Sequence, residues 1–231
     1  MRPDNIQAVS EYQTRVKKIR EKLKDRFGLP EWRPILQPVD ELISTILSQN
    51  TNDVNRDAAF MQLRMTFPDW YSVMNAEPAL VIEAIRSAGL SNQKGPRIQQ
   101  ALREITAFTG GEITLDFLKD MERENARNWL MDLNGVGPKT AAIVLLFSMG
   151  IPAFPVDTHI YRVTGRMGIR PVKLSVEKTH HFLEQLIPEA YFYDLHLNLI
   201  KLGRDFCGAR KWYCDRCPVI ALCEYEDKVL A

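Results

Sequence analysis

Residues 1–206 contain no cysteine. A disulfide framework therefore cannot hold the bulk of this 231-residue chain, and an apolar core must do so. Hydrophobic residues supply 45% of the sequence, ordinary for a globular protein with one large domain or two intimate lobes. No apolar run approaches the length needed to span a bilayer, and the polar start Met1-Arg2-Pro3-Asp4-Asn5 has no signal-peptide h-region. These absences predict a reducing, cytoplasmic setting and no membrane partner. Internal repeats, low-complexity linkers and period-2 alternation are also missing, which sets aside solenoids, tethers and sheet proteins. Charge of either sign is not in excess: 30 Lys and Arg stand against 29 Asp and Glu. Bulk charge thus announces no polyanionic partner, and its distribution has to be read instead.

What is present is helical periodicity. Val9, Tyr12, Val16, Ile19 and Leu23 recur at three- and four-residue steps and stop at Gly28. Leu42, Ile43, Ile46 and Leu47 begin a second helix that ends in Gln49-Asn50-Thr51-Asn52, and Val54 to Phe67 forms a third. Pro78 and Pro96 each read as the first residue of a helix, closed by Gly89 and by Gly110-Gly111. Further helices are expected over about 115–133, 138–149, 158–168, 175–187 and 190–203. The pattern predicts an all-α protein with short connections. Trp129 and most large apolar residues read as core.

The four cysteines fall late, as Cys207-x6-Cys214-x2-Cys217-x5-Cys223. One close pair with a lone thiol on each side suits a [4Fe–4S] cluster better than a single zinc ion, which prefers two separated knuckles. A zinc site and two disulfides are the competing readings. Basic residues also gather late. Arg162, Arg166, Arg170 and Lys173 lie in an acid-free stretch, and Lys201, Arg204, Arg210, Lys211 and Arg216 surround the first cysteines. Solvated helix faces are the ordinary meaning of such charge, and a one-sided positive face is the alternative.

The segment Leu133-Asn134-Gly135-Val136-Gly137-Pro138-Lys139-Thr140 carries the most chemistry. Two glycines allow a tight turn, and Pro138 restarts a helix whose free N–H groups favour an anion. Such a turn clamps one phosphate without reading sequence. An ordinary helix corner is the competing reading. No charged residue occurs from Thr140 to Val156, with Lys139 at one border and Asp157 at the other. A lysine against apolar surroundings favours its free amine, a nucleophile, and a nearby carboxylate can take its proton or stabilise positive charge. Asp157 is equally suited to capping the helix that starts at Thr158.

Three motifs in order, Leu133-x-Gly135-Val136-Gly137-x-Lys139-Thr140-Ala141, then Val156-Asp157-Thr158-His159-x2-Arg162-Val163, then the cysteine loop, resemble the endonuclease III branch of the helix-hairpin-helix DNA glycosylases. The likeness runs from about Leu42 to Val229. It implies a six-helix barrel over 41–150 holding the hairpin. A discontinuous lobe of 1–40 and 151–231 would carry the cluster loop 207–223, with a DNA-binding cleft between the two. It further implies a monomeric base-excision-repair enzyme in the cytoplasm, associated with the nucleoid, that flips damaged bases out of duplex DNA. By position Lys139 resembles the nucleophile and Asp157 the essential carboxylate, and a lysine there implies AP lyase activity beside base removal. Oxidised pyrimidines are the default substrate.

The resemblance also implies DNA contacts: Gly135, Val136 and Gly137 on a phosphate, Arg162, Arg210 and Lys211 on the backbone, Gln49 or Asn50 in the gap left by the flipped base, and Leu90 as an apolar wedge. The chain departs from the family at Asn134 and Pro138, lacks a tyrosine after Leu90, and has Leu202 where a histidine is usual. Two other readings remain in play. One is a mismatch glycosylase, against which Lys139 counts. The other is a damage sensor that kept the fold and lost turnover.

Overall fold

The computed structural model describes residues 3–228, with side chains from residue 10 onward. Met1, Arg2 and Val229 lie outside the described residues. Among those described there are helices and turns but no strand, apart from one isolated bridge between Cys207 and Trp212. The chain divides into two compact units, Arg33–Ile151 and Met1–Trp32 with Pro152–Ala231. No helix among the described residues is long and apolar enough to cross a membrane.

Helix α1 (Pro3–Phe27) belongs to the other unit; in the 33–151 unit the order is α2 (Pro38–Ser48), α3 (Asp53–Thr66), α4 (Trp70–Asn75), α5 (Pro78–Ala84), α6 (Ser91–Thr109), α7 (Arg123–Asp132) and α8 (Pro138–Ile143). Helix α2 is central. Leu42, Ile43, Ile46 and Leu47 are fully buried, and Val39, Ser44 and Thr45 nearly so, because α3, α6 and α8 all pack against it. A helix enclosed on several sides needs a wide apolar face, and its small polar residues Ser44 and Thr45 are buried beside that face. The other unit is built on α1 (Pro3–Phe27), α9 (Thr158–Arg166), α10 (Val176–Leu186) and α11 (Phe192–Asp205). Helix α11 lies between α9 and α1 and buries Leu195, Leu199 and Leu202. Gly203 lets α9 come close: a Cβ there would sit 3.0 Å from His159 Cβ.

Four expectations are corrected. Helix α6 begins at Ser91, so Pro96 lies inside it. Leu90 takes a left-handed turn (φ 50°) and its carbonyl accepts from the Gln93 and Lys94 amides, which starts the helix five residues early. Pro96 then offers no N–H to the Asn92 carbonyl. Both residues are exposed, where water serves as donor. The expected helix over 115–133 is broken. A 3-10 turn at Asp116–Asp120 is followed by extended backbone at Met121, which redirects the chain so that Leu118 and Leu130 are both buried. The expected helix over 138–149 is α8 followed by a π-helical stretch, Val144–Ser148. Helix α4 had no clear apolar period and went unread; Asp69 caps it, its side chain accepting from the Ser72 amide at 2.7 Å. Trp129 is half-buried and packs against Phe108 and Phe117 in a partly exposed aromatic cluster, outside the core proper.

Candidate active site

The hairpin joins α7 to α8 through residues 133–137. Gly135 has φ 83°, and a Cβ there would also strike Arg97 Cδ at 2.7 Å, so only glycine suits the turn. The Val136 side chain is buried and its amide donates to Leu133 O at 3.0 Å, which spends that N–H inside the turn. Gly137 sits in the N-cap position without a capping side chain, and Pro138 opens α8. Lys139 follows directly, exposed on the first turn, while Thr140, Ala141 and Ala142 behind it are buried. The apolar segment thus anchors the helix, and the lysine stands at its open end.

Asp157 caps α9: its Oδ1 accepts from the Ile160 amide at 2.7 Å. It is half-buried, and its second carboxylate oxygen is not needed for the cap. The extended segment before it is pinned from three sides. Glu184 accepts from the Phe154 amide (2.7 Å), His180 Nδ1 donates to Phe154 O (3.2 Å) and His196 Nδ1 donates to Pro155 O (3.0 Å). A carbonyl can only accept, so both imidazoles carry their proton on Nδ1. Neither histidine reads as catalytic; both fix the approach to Asp157.

All four cysteines line one cavity, with Val163, Met167, Leu202, Phe206 and Trp212 completing its apolar wall. No three His, Cys, Asp or Glu among the described residues are arranged to hold a single metal ion. Four thiols facing one apolar-walled space supply the donor set that a [4Fe–4S] group requires. Burial pushes the Cys217 thiol up to about 11, and the neighbouring Cys207, Cys223 and Cys214 add to the shift. Cys223 is raised for the same leading reason. Only a cationic group among them would hold these cysteines as thiolates near neutral pH.

The loops at residues 49–50 and 90 are the two places where a described non-glycine residue has positive φ: Asn50 at 53° and Leu90 at 50°. Gln49 Nε2 donates to Gly135 O at 2.9 Å, so its amide is used in tying the loop to the hairpin turn. Asn50 is exposed, and Leu90 is 48% exposed. Strain held in exposed loop residues is a mark of functional positions.

The description HhH-GPD superfamily base excision DNA repair protein matches residues 43–189. The chain belongs to this superfamily. It is 35% identical over 200 residues to endonuclease III of Escherichia coli K12, covering 83% of this chain and 86% of that one. A longer Arabidopsis thaliana relative is 34% identical over 173 residues, covering 75% of this chain and 59% of its own length. A solved structure of a trapped endonuclease III–DNA covalent intermediate, an estranged-adenine complex, superposes with a TM-score of 0.78 at 27% identity, over 92% of this chain and 95% of that one. Like other HhH-GPD proteins of this branch, the protein is a base-excision-repair DNA glycosylase, and DNA is its partner.

Within this HhH-GPD chain the arginines of the basic stretch 158–176 are engaged inside the fold, while Lys173 is exposed. Arg162 donates from Nε to Cys207 O (2.9 Å) and from Nη2 to Gly203 O (3.0 Å), and the same Nη2 meets His159 Nδ1. Arg170 is buried and donates to Tyr161 O, Pro171 O and Val172 O. Arg166 donates to Cys207 Sγ (3.3 Å) and Gly208 O (2.8 Å), with its guanidinium over the Trp212 and Tyr225 rings. Arg162 and Arg166 lie four residues apart on one face of α9, Arg170 follows beyond its end, and the partners of all three are mainly carbonyls, with one sulfur and one imidazole nitrogen. Arg210, Lys211 and Arg216 do lie exposed, the last two beside the Tyr213 ring. Sequence reasoning named Arg166 only within a basic cluster and passed over Lys94 as a site residue.

Proposed function

We propose that this glycosylase is bifunctional, removing oxidised pyrimidines from duplex DNA and then cleaving the abasic strand. Lys139 carries the reading: it is an exposed amine on the first turn after a glycine hairpin, in the position that matches the family's nucleophile. The covalent DNA intermediate of the related endonuclease III supports a covalent route. Lys139 Nζ bonds to C1′ of the damaged nucleotide as the glycosidic bond breaks and the base departs with a proton. Ring opening gives an iminium. It acidifies C2′–H, and loss of that proton with the C3′–O pair cuts the strand on the 3′ side.

Asp157 stabilises the cationic sugar and takes a proton from the Lys139 ammonium. Its cap hydrogen bond engages one oxygen and orients the other. The hairpin backbone at Gly135 and Gly137 holds a phosphate. Of the two candidates for the flipped-base gap, Asn50 is favoured, since the Gln49 amide is already committed to Gly135 O. Leu90 wedges the stack. Arg210 and Lys211 meet the DNA backbone, whereas Arg162 serves the cysteine loop. The thiols of Cys207, Cys214, Cys217 and Cys223 hold a [4Fe–4S] cluster, which cross-links the loop and leaves bond chemistry to the side chains. The enzyme works as a monomer.

The test is a nicking assay on duplexes carrying thymine glycol, a preformed abasic site, a G:T mismatch or no damage. Cleavage of the first two alone is expected. Cleavage of the abasic duplex alone would remove the oxidised-pyrimidine assignment, and base loss without strand cleavage would remove the lyase.

A further inference from the structure

Lys94 lies in the first turn of α6 and is 1% exposed. Burial alone lowers its pKa from the ordinary 10.5, with no charged neighbour contributing. Its ammonium donates to Leu47 O at 2.7 Å and to Ala88 O at 2.8 Å. Both acceptors end helical segments. Leu47 is in the last turn of α2, and Ala88 closes the 3-10 turn Arg86–Ala88. The last carbonyls of a helix lack intrahelical donors and carry negative partial charge. One buried cation therefore caps two helix ends at once.

Each of these ends leads into a residue with left-handed backbone. Asn50 comes three positions after Leu47, and Leu90 two after Ala88, each with positive φ. The Lys94 amide also donates to Leu90 O at 3.0 Å, closing the second loop from its other side. An apolar side chain would fill the same space without the desolvation cost of an ammonium. It would leave two carbonyls unbonded and the two loops untied.

We propose that Lys94 is a positioning residue that fixes the separation of the Asn50 and Leu90 loops, so that both side chains enter the duplex together. This rests on the reading given above that these two loops enter DNA. Tied loops should share one opening event, and untied loops should each contribute separately.

A double-mutant cycle separates the two cases. Duplex opening is read by the fluorescence of 2-aminopurine placed opposite a tetrahydrofuran abasic analogue. Asn50→Ala and Leu90→Ala should each lower opening about tenfold, and the double variant by about the same factor, well short of the product. In a Lys94→Met background opening should already be reduced about tenfold, and the two loop substitutions should then multiply. Losses that multiply in the wild-type background would overturn the brace while keeping the loops as DNA contacts, a result that does not depend on Lys94→Met folding. Full opening by folded Lys94→Met would also overturn it. Unchanged fluorescence in both single loop variants would remove the loop reading itself and the brace with it.

Discussion

Asp157 combines a structural and a chemical task in one side chain, and substitution can separate them. Asparagine caps a helix about as well as aspartate but carries no charge. Asp157→Asn should therefore hold its stability within about 0.5 kcal/mol while base excision falls at least about 100-fold. Asp157→Ala should lose the activity and about 1 kcal/mol of stability as well, both read by urea unfolding beside single-turnover excision. Equal destabilisation by the two variants would assign the activity loss to the cap. Leu90 tests strain in the same way. A non-glycine residue in the left-handed region costs about 1 kcal/mol or more, and this side chain is half exposed. Leu90→Gly should leave stability unchanged or higher and reduce excision from duplex DNA; a clear loss of stability would show that the side chain belongs to the core. Motif spacing alone made Lys139, Asp157 and the four cysteines legible as candidates. Lys94 was invisible, because a buried lysine among apolar neighbours looks in sequence like any helix-surface lysine.

At the scale of elements, charge on a helix proved ambiguous. The face of α9 that presents Arg162 and Arg166 reads in sequence as solvated or DNA-facing, yet those guanidiniums hold the cysteine loop by its carbonyls and by Cys207 Sγ. Composition records the donors of a helix and not the acceptors that a distant loop brings to it. Turns were misread for a related reason. Pro96 is a start signal in most contexts, and here the left-handed Leu90 starts the helix before it. The apolar periods of α1 from Tyr12 onward and of α2 were read correctly, as were the approximate spans of α10 and α11, since burial on one or more sides imposes such periods directly. Helices α1 and α11 are further joined by Arg20, whose Nε and Nη2 donate to the two Asp194 oxygens at 2.8 and 3.2 Å. Burial raises the Asp194 pKa despite that partner, so the carboxylate depends on the arginine for compensation. Arg20→Met should cost about 3 kcal/mol or more in urea unfolding, and the double variant Arg20→Met with Asp194→Leu should recover most of it. A loss under about 1 kcal/mol in the single variant would mean that water reaches the carboxylate.

For the whole molecule, the division into two units matters because each holds part of the proposed chemistry: Lys139 with the hairpin in one, Asp157 with the cysteine loop in the other. The all-α architecture was legible from helical periodicity and the family from motif order, while the π-helical stretch behind Lys139 and the aromatic cluster around Trp129 were not, having no distinctive residue pattern. The cysteine cavity makes a prediction of its own. Protein purified without air should contain iron and acid-labile sulfide in equal amounts, and Cys217→Ser should lose both together with protease resistance of the segment 207–223. Zinc without sulfide would replace the cluster with a different metal site. The central claim is the Lys139 amine, and borohydride trapping reaches it most directly. Wild-type protein should form a covalent adduct on thymine glycol duplex, and Lys139→Ala should form none while still binding the same DNA. An adduct that persists in the variant, or no adduct with any damaged duplex from protein with its cluster intact, would contradict that claim.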